Sequence, residues 1–525
     1  MFLLQANTLE LYNARDLLLI APELILTLCA CVALVIEVVL PYQKSKLTGY
    51  FALIGLALAS VSLFALWQVN GQRFPLTGFY GTVRIDGFAI VFKVIFLLAA
   101  ALTIAISMRY LDVEREQRGE YYALVLFATV GMMFLACGYD LIVLYVSLEL
   151  MALTFYVLVS YTKRERRTNE AGMKYFLLGA FSSGVLLYGM SMLYGIAGST
   201  NLGDIAASIG PALSVEPLAD GTTVGVSLLR PLLLLGMIAL AAGLFFKIAA
   251  VPFHMWAPDA YEGAPTSVTA FLSTGSKAAS FALFARLFME ALGDMRLDWA
   301  PLLGLVAAIT IMVGNWAAVT QTNAKRLLAY SSISNAGYLL LGIIASNQYG
   351  YVGLVIYLFV YTLMNIGAFG IIISLRRRGI AGDNVDDLTG LAQKAPGMAL
   401  MMAIFMLSLG GLPITGGFIG KYFLFGGLLQ RYEVEQKNWY VWLAIWAILN
   451  TVVSFYYYIR FIRVMYLTGD TSPDTRPLSL SPSLQTALIV SVIGIIFIGV
   501  YPQPFIKMAE ILISTLAAGG ALALR

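Results

Sequence analysis

Three lysines lie deep inside apolar stretches of the sequence: Lys247, Lys277 and Lys421. An ionisable group at the centre of a bilayer costs roughly 3 kcal/mol or more, so each lysine needs a partner, water or a function. A structural ion pair and a functional role both account for such residues. Lysine suits proton transfer because its ammonium can lose and regain a proton, whereas arginine stays charged. We predict that the three lysines carry protons.

An acidic residue, Glu149, lies in the middle of another apolar stretch, and Tyr145 and Tyr156 share its helical face. A glutamate close to a buried lysine forms a pair in which both groups are charged. If a neighbouring charge separates the two, desolvation of the isolated ammonium favours release of its proton. The combination predicts a pair that can be switched.

Two of the lysines stand beside helix breakers. Pro252 follows Lys247, and a glycine-rich stretch containing Pro413 precedes Lys421. Proline removes a backbone donor and clashes with the preceding turn, so both helices should break. Irregular backbone at membrane depth is tolerated only beside protein or a water-filled cavity. His254, the only histidine, is either a capping or core residue or a proton relay, because histidine changes charge near neutral pH.

Two serines share the predicted helical face of Lys277: Ser273 and Ser280. Small polar residues in membrane helices mark close helix packing in many proteins. They could equally line a proton wire. The sequence leaves both interpretations open.

The composition places these residues in a membrane protein. Of the 525 residues 60% are apolar and 12% charged, and the mean hydropathy is +0.83. The three cysteines lack the C-x-x-C spacing of metal sites, and neither a G-x-G-x-x-G nor a P-loop motif opens a helix. We therefore expect no metal, no bound cofactor and, with a net charge of +4 beside membrane segments, no nucleic-acid partner.

Apolar runs and their polar breaks predict an all-α polytopic protein. The predicted spans are 17–40, 48–68, 88–108, 120–138, 140–161, 172–197, 231–251, 264–291, 301–320, 327–346, 349–375, 397–424, 440–466 and 484–512. We treat the first as structural, because it is longer than the apolar region of a signal peptide. Three further basic residues within spans, Lys93, Lys174 and Arg286, are expected to snorkel to the membrane surface.

The charges of the loops predict an orientation. With a crossing at each span, one face receives twice as many lysines and arginines as the other. The positive-inside rule then places both termini outside the cytoplasm.

A weak internal repeat is also present. Tyr145-x-Ser147-x-Glu149 in the fifth span resembles Tyr330-x-Ser332-x-Ser334 in the tenth, and the two proline-interrupted spans are likewise five apart. Because five is odd, two such units would have inverted topology, as in secondary transporters with broken helices.

The sequence closely resembles the antiporter-like N-type subunits of proton-pumping NADH:quinone oxidoreductase, respiratory complex I, along most of its length. The motifs that carry the resemblance are Leu148-Glu149-Leu150, residues 173–184, 251–259, 261–265 and 325–334, and Gly420-Lys421. The resemblance implies about 14 transmembrane helices, with helices 7 and 12 broken. It divides the chain into N-terminal helices 1–3 (1–112), two inverted five-helix repeats (113–296 and 297–468) and a last helix (469–525).

The resemblance also implies roles for the site residues. Glu149 and Lys247 would form the charge pair, Lys277 the central proton carrier and Lys421 the carrier of the second half-channel. The supporting residues would be Lys174, Lys325 and, in a role that stays open, His254.

The resemblance further implies that this chain holds no redox centre. FMN and iron-sulfur clusters would belong to partner subunits, with NADH and quinone as substrates, in a complex of the bacterial inner membrane that includes neighbouring antiporter-like subunits. An alternative is a subunit of a multisubunit cation/proton antiporter. A structural scaffold whose charges only hold helices together is a third interpretation.

Overall fold

The computed structural model describes residues 14–39, 45–70, 74–213, 229–376, 382–468 and 481–517. The helices are α1 (Ala14–Leu19), α2 (Ala21–Val39), α3 (Lys46–Asn70), α4 (Gly87–Glu114), α5 (Gly119–Cys137), α6 (Leu141–Val159), α7 (Arg166–Ala197), α8 (Leu202–Leu213), α9 (Arg230–Ile248), α10 (Trp256–Gly263), α11 (Thr266–Phe271), α12 (Lys277–Ala285), α13 (Arg296–Val319), α14 (Ala324–Ala345), α15 (Gln348–Leu375), α16 (Leu391–Lys394), α17 (Pro396–Gly410), α18 (Gly416–Glu435), α19 (Trp439–Tyr466), α20 (Pro482–Val500) and α21 (Gln503–Ala517).

Twelve of the described helices are long and apolar enough to cross a membrane. The two remaining predicted spans consist of shorter pieces. One joins α11 and α12 through the π-helical turn Leu272–Ser276 and continues into a second π-helical turn, Arg286–Ala291. The other consists of α17 and α18. The all-α membrane architecture is therefore confirmed, and the count of fourteen is approximate.

Two features of the fold differ from the sequence prediction. The last span was predicted as one helix, but Pro502 separates α20 from α21, because proline cannot donate the backbone hydrogen bond that a continuous helix needs. A short antiparallel hairpin also precedes α4. Its strands are β1 (Leu76–Gly78) and β2 (Val83–Ile85), with Leu76 opposite Ile85.

Polar residues in short loops start several of the helices. Asp86 accepts a hydrogen bond from the Ala89 amide at 2.8 Å, and Asn323 accepts one from the Arg326 amide at 3.0 Å. Such N-caps satisfy donors that the first helical turn leaves unpaired. They fix where α4 and α14 begin.

The centre of the bundle is formed by α14 and α15, which are the most deeply buried spans. Helix α13 packs along α14, and α18 packs along α15. Small residues permit this close approach: a Cβ atom at Gly314 would lie 2.5 Å from the backbone nitrogen of Ser334. Lys421, the predicted carrier of the second half, lies on α18 beside this tightly packed core.

Loops at each end of the bundle interact with one another. At one end Arg376 pairs with Glu114 and, at 3.5 Å, with Asp383. At the other end Arg84 pairs with Glu290 at 3.3 Å. Both chain termini, residues 1–13 and 518–525, lie outside the described residues, so their predicted placement remains a prediction.

Candidate proton-translocation site

The first predicted break is present and lies directly after Lys247. Helix α9 ends at Ile248 and is capped by Ala249, which adopts a left-handed conformation with φ of 58°, and α10 begins only at Trp256. The Val251 amide donates to the hydroxyl of Thr310 at 3.0 Å, so a side chain of α13 replaces the missing helical acceptor. The break is thus anchored on the second half of the molecule.

Lys247 is buried and donates to Ser183 Oγ on α7 at 3.0 Å. Glu149 and Lys247 interact electrostatically, but the two residues do not form a direct ion pair in the described structure. One carboxylate oxygen of Glu149 is buried and makes no hydrogen bond to the described residues. The structure therefore shows the two groups as neighbours that are separated, which is one state of the predicted pair.

Aromatic rings hold the elements around Glu149 and Lys247 together. Tyr156 packs edge-on against Tyr175 at 4.8 Å, and Tyr175 stacks on Trp256 at 4.6 Å. The Trp256 indole donates to the carbonyl of Phe246 at 2.9 Å, across the break. These contacts connect α6, α7, α9 and α10 and keep the broken helix in register.

His254 lies within the break and is half-buried. Its Nδ1 atom is buried and has no hydrogen-bond partner among the described residues. Its backbone carbonyl accepts from the Ala257 amide at 3.0 Å, which starts α10. The backbone of His254 thus has a structural role, and its ring makes no hydrogen bond to Lys247.

Lys277 follows the π-helical turn Leu272–Ser276 and reaches the opposite half of the molecule. Its ammonium donates to both the carbonyl and the hydroxyl of Ser332 on α14. The ammonium also lies 5.8 Å from the centre of the Tyr361 ring. A π-helical turn next to a buried lysine is typical of a functional position in a helix.

The two serines on the face of Lys277 do not contact its ammonium. Ser280 donates to the Ser276 carbonyl at 2.8 Å, within its own helix. Ser273 donates to the Ala270 carbonyl at 2.9 Å and accepts from Asn365 at 3.0 Å. The Ser280 hydroxyl therefore hydrogen-bonds within its own helix, and the Ser273 hydroxyl connects the π-helical turn to Asn365 on α15.

Lys421 lies beside the second predicted break, which is also present between α17 and α18. Its ammonium donates to the carbonyls of Leu409 and Gly410 at 3.0 and 3.2 Å. These carbonyls end α17 and lack helical donors, and the negative end of the helix dipole favours a cation there. The Tyr338 ring lies 4.9 Å from the ammonium. No carboxylate pairs with Lys421 in the described structure.

A series of buried polar side chains extends between Lys277 and Lys421, and we call it the polar corridor. Its members are Ser332, Ser331, Tyr458, Tyr457, Asn315 and Tyr338. Ser331 and Tyr458 share a hydrogen bond of 2.6 Å, and the Tyr458 and Tyr457 rings lie 4.4 Å apart.

The corridor continues from Tyr457 to Lys421. Tyr457 donates to Asn315 Oδ1 at 2.9 Å, and Asn315 Nδ2 donates to the Tyr338 hydroxyl at 3.5 Å. The Tyr338 ring then meets Lys421. Burial of polar groups costs free energy unless they are hydrogen-bonded, and the hydrogen bonds within the corridor offset that cost.

No comparable corridor of described hydrogen bonds joins Lys247 to Lys277. Instead, rings follow one another from the break: Phe246 lies 5.3 Å from Trp256, and Trp256 lies 6.2 Å from Tyr261. The Tyr261 hydroxyl then lies 3.4 Å from Ser332 Oγ. The path between the first two lysines is therefore mainly aromatic.

The two supporting lysines differ in environment. Lys325 is buried and donates to the Ala264 carbonyl at 2.7 Å, between α10 and α11. Lys174 is half-exposed and pairs with Glu170 and Asp259, both at 2.9 Å. Arg326 joins the same cluster through Asp259 and Glu262. Lys174 therefore belongs to an ion network at one end of the bundle.

The expectation that Lys93 and Arg286 snorkel is wrong. Lys93 is fully buried and pairs with the equally buried Glu23 at 2.5 Å. Arg286 is fully buried and makes two hydrogen bonds of 2.7 Å to Asp86. Both cations are retained inside because carboxylates from other parts of the chain, Glu23 on α2 and Asp86 before α4, neutralise them. The sequence prediction missed Glu23 and Asp86, although an acidic residue inside or directly before an apolar run was a usable signal.

Replacing Lys93 by methionine should lower the stability of the membrane domain by about 3 kcal/mol, because Glu23 is left unpaired in a buried site. The measurement is the amount of assembled protein in membranes and its thermal midpoint. The double variant with Lys93→Met and Glu23→Leu should recover most of the loss, since both charges are gone. A single variant as stable as wild type would refute the assigned pairing.

Metal ligands do not cluster in the part of the chain that the structure describes: no group of three histidine, cysteine, aspartate or glutamate residues is placed to hold an ion.

Comparisons with known proteins show relatives along most of the chain. The transmembrane family described as NADH:quinone oxidoreductase/Mrp antiporter matches residues 138–454. NADH-quinone oxidoreductase subunit N 2 of Solibacter usitatus is 47% identical over 504 residues, covering 95% of this chain and 98% of the relative. Subunit N 1 of Koribacter versatilis is 46% identical over 512 residues, covering 95% and 96%.

Solved structures show the same fold. A chain of respiratory complex I from Thermus thermophilus with bound aureothin is 32% identical, with a TM-score of 0.74 over 93% of this chain and 99% of that chain. A chain of the Mrp complex from Dietzia sp. has a TM-score of 0.76 over 94% and 97%, but at 20% identity it shares only the fold.

Proposed function

The chain belongs to the subunit N family of NADH:quinone oxidoreductases, and from that premise we propose how its buried charges move protons. It is a proton-translocating, multi-pass membrane subunit of complex I, and it assembles with other membrane and peripheral subunits of that complex. It is thus part of an oxidoreductase.

We propose that electron transfer from NADH to quinone takes place in partner subunits, which hold FMN and iron-sulfur clusters. The buried lysines of the site and their hydroxyl partners support a role in moving protons. We also propose that the complex lies in a bacterial inner membrane with both termini of this chain on the periplasmic side, as the charge of the loops indicates.

The observation that carries the proposed path is the polar corridor between Lys277 and Lys421. Hydroxyl and amide groups can pass a proton when water bridges the gaps between them. The hydrogen bond from Lys277 to Ser332 forms one end, and the Tyr338 ring beside Lys421 forms the other. A proton released by Lys277 therefore has a polar route to Lys421.

The first half of the path begins at Glu149 and Lys247. When the two groups are close, each stabilises the charge of the other, and their separation leaves an ammonium in apolar surroundings. This separation therefore favours release of the proton from Lys247. Because rings of Phe246, Trp256 and Tyr261 lie on the way to Lys277, water must enter this segment before transfer. The segment therefore acts as a gate.

Supporting roles follow from the contacts. Lys325 fixes the junction of α10 and α11 through the Ala264 carbonyl, next to the Tyr261 step. Lys174 holds α10 to α7 through Asp259. We assign His254 to the geometry of the break, because its carbonyl starts α10.

The predicted division into two inverted repeats is part of the proposal. Each of the segments 113–296 and 297–468 contains one broken helix with a lysine beside the break. In the first, Lys247 precedes the break, and in the second, Lys421 follows it. Repeats of inverted topology keep the order of their elements along the chain, so the support for the division is the broken helix with a buried lysine beside it in each segment, not the side of the break on which the lysine lies. The predicted segments also contain residues 1–13, 40–44, 71–73, 214–228, 377–381, 469–480 and 518–525, which lie outside the described residues.

The experiment that tests the first half is the substitution of Glu149 or Lys247 by alanine. Assembly should remain near wild type, because neither residue forms a tight ion pair that would be broken. NADH-driven proton pumping should fall several-fold, since one member of the pair is absent. Pumping is measured in membrane vesicles at matched complex content.

A matched control is Lys437→Ala, which removes a half-exposed lysine that pairs with Glu435 at 3.4 Å. It should leave pumping unchanged, because exposed ion pairs contribute about 0–1 kcal/mol. Wild-type pumping in both Glu149→Ala and Lys247→Ala would remove these two residues from the path.

A further inference from the structure

A buried asparagine on α15, Asn365, contacts two elements that surround Lys277. Its Nδ2 atom donates to the Ser273 hydroxyl at 3.0 Å and to the Tyr361 hydroxyl at 2.8 Å. Ser273 belongs to the π-helical turn that directly precedes Lys277, and the centre of the Tyr361 ring lies 5.8 Å from the lysine ammonium. One amide therefore joins the segment that leads into the lysine to the ring that faces it.

The direction of these hydrogen bonds follows from the other partners of the same groups. The hydrogen of the Ser273 hydroxyl is directed at the Ala270 carbonyl, 2.9 Å away, so the serine oxygen can only accept from the amide. The contacting atom of Asn365 is therefore its nitrogen, which has two hydrogens to donate. Both are used on the surroundings of Lys277.

Tyr361 connects the amide to the hydrogen-bond partner of the lysine as well. Its hydroxyl interacts with Ser332, whose carbonyl and hydroxyl accept from Lys277. The other titratable side chain near this contact is Tyr261 on α10, whose hydroxyl lies 3.4 Å from Ser332 Oγ. The described structure shows no carboxylate and no second cation in contact with the ammonium. Neutral groups therefore set its position.

Packing alone does not require an amide on α15 at this point. Asn365 is 1% exposed, and its Oδ1 atom is buried and has no hydrogen-bond partner among the described residues. An unpaired buried acceptor costs free energy that an apolar side chain of similar size avoids. A leucine, however, could not donate the two hydrogen bonds to Ser273 and Tyr361.

We propose that Asn365 is a positioning residue for Lys277. Its two hydrogen bonds fix the π-helical turn and the Tyr361 ring relative to each other, and this arrangement holds the ammonium at Ser332, where the polar corridor begins. The inference rests on the proposed role of Lys277 as a proton carrier. Placement matters for that role, because a proton passes only between groups within hydrogen-bond reach or joined by one water.

The test compares Asn365→Leu with the wild type in the intact complex, in sealed inside-out vesicles at matched complex content. We expect NADH-driven pumping to fall at least about threefold, because a displacement of about 1 Å can slow a reaction by more than that. Lys277 should also bind its proton less tightly once Tyr361 and Ser332 are no longer held against it. Pumping should therefore decline at a pH lower by about half a unit.

Asn450→Leu is the matched control. Asn450 on α19 is also buried with an unpaired Oδ1 atom, but its amide donates to the Trp446 carbonyl of its own helix at 3.0 Å. It should change neither pumping nor the pH profile. Ser273→Ala and Tyr361→Phe each remove one partner of the amide. Both should reproduce part of the loss and of the shift, and they replace Asn365→Leu if that variant does not assemble.

Lys277→Met separates the inference from its premise. Wild-type pumping in Lys277→Met would remove the premise and the inference with it. If Lys277→Met loses pumping while the Asn365, Ser273 and Tyr361 variants keep the wild-type rate and pH profile, Lys277 is a carrier that Asn365 does not position. A loss of pumping in Asn365→Leu with an unchanged pH profile would assign Asn365 to packing and would also overturn the proposal.

Discussion

Replacing Lys277 by methionine is expected to lower NADH-driven proton pumping at least about tenfold, the largest effect of any single substitution in the site. Methionine fills a similar volume but cannot bind a proton. A tenfold loss corresponds to roughly 1.4 kcal/mol added to the barrier, and moving a charge across an apolar gap costs more than that. The measurement is proton uptake by inside-out vesicles at matched complex content.

The contacts of Lys277 explain why its loss should act on transport more than on assembly. Its ammonium bonds to neutral groups of Ser332, so its removal leaves no buried carboxylate unpaired. Lys437→Met is the control, because it makes the same lysine-to-methionine change at a half-exposed position outside the site, and it should leave pumping unchanged. Pumping at the wild-type rate in Lys277→Met would show that protons bypass Lys277.

Replacing Arg286 by methionine should have the largest effect on stability, a loss of about 3–5 kcal/mol. Arg286 bonds to Asp86 twice, contacts Glu290 and donates to the Ala136 carbonyl at 2.9 and 3.1 Å. These bonds tie the start of α4 and the end of α5 to the π-helical turn after α12. Without the guanidinium, Arg84 is the cation left among the described residues to compensate the carboxylates of Asp86 and Glu290.

The readouts for Arg286→Met are the amount of assembled complex and its thermal midpoint, both of which should fall. Arg286→Lys should recover only part of the loss, since an ammonium cannot make the paired bonds of a guanidinium. Arg230→Met is the matched control, because Arg230 is half-exposed and pairs with Asp298 at 3.3 Å. If Arg286→Met and Arg230→Met have the same thermal midpoint, the buried contacts of Arg286 with Asp86 and Glu290 do not stabilise the protein.

The sequence predicted the spans and both breaks because each leaves a local signal. About 20 apolar residues mark a span, and proline beside glycine or lysine within one marks a break. The same reasoning failed for the last span. Pro502 sits in a run that hydropathy alone joins into one helix, and α21 begins one residue later.

The three deep lysines were found by sequence because charges are rare in such runs, but their partners were not. Ser332 meets Lys277 from a helix 55 positions later, and Tyr338 meets Lys421 from a helix about 80 positions earlier. Tyrosines such as Tyr457 and Tyr458 are also common at membrane surfaces, so their residue type does not indicate a polar corridor. Only the packing of α13, α14 and α19 brings these side chains together.

The sequence also did not predict the environment of the other cations within the spans. Lys93 and Lys174 look alike in hydropathy, yet one pairs with buried Glu23 and the other lies in an exposed ion network. The difference depends on which face of the helix points inward. A helix that is apolar all round does not reveal that face.

The most direct test of the account is the number of protons moved per NADH oxidised by the complex in sealed vesicles, compared among wild type, Lys277→Met, Lys421→Met and Lys437→Met. If protons pass from Lys277 through the polar corridor to Lys421, both Lys277→Met and Lys421→Met should pump less at matched complex content. Either the number of protons per NADH falls, or NADH oxidation slows in proportion to pumping. Lys437→Met should match wild type. Wild-type rates and ratios in both Lys277→Met and Lys421→Met would contradict the account.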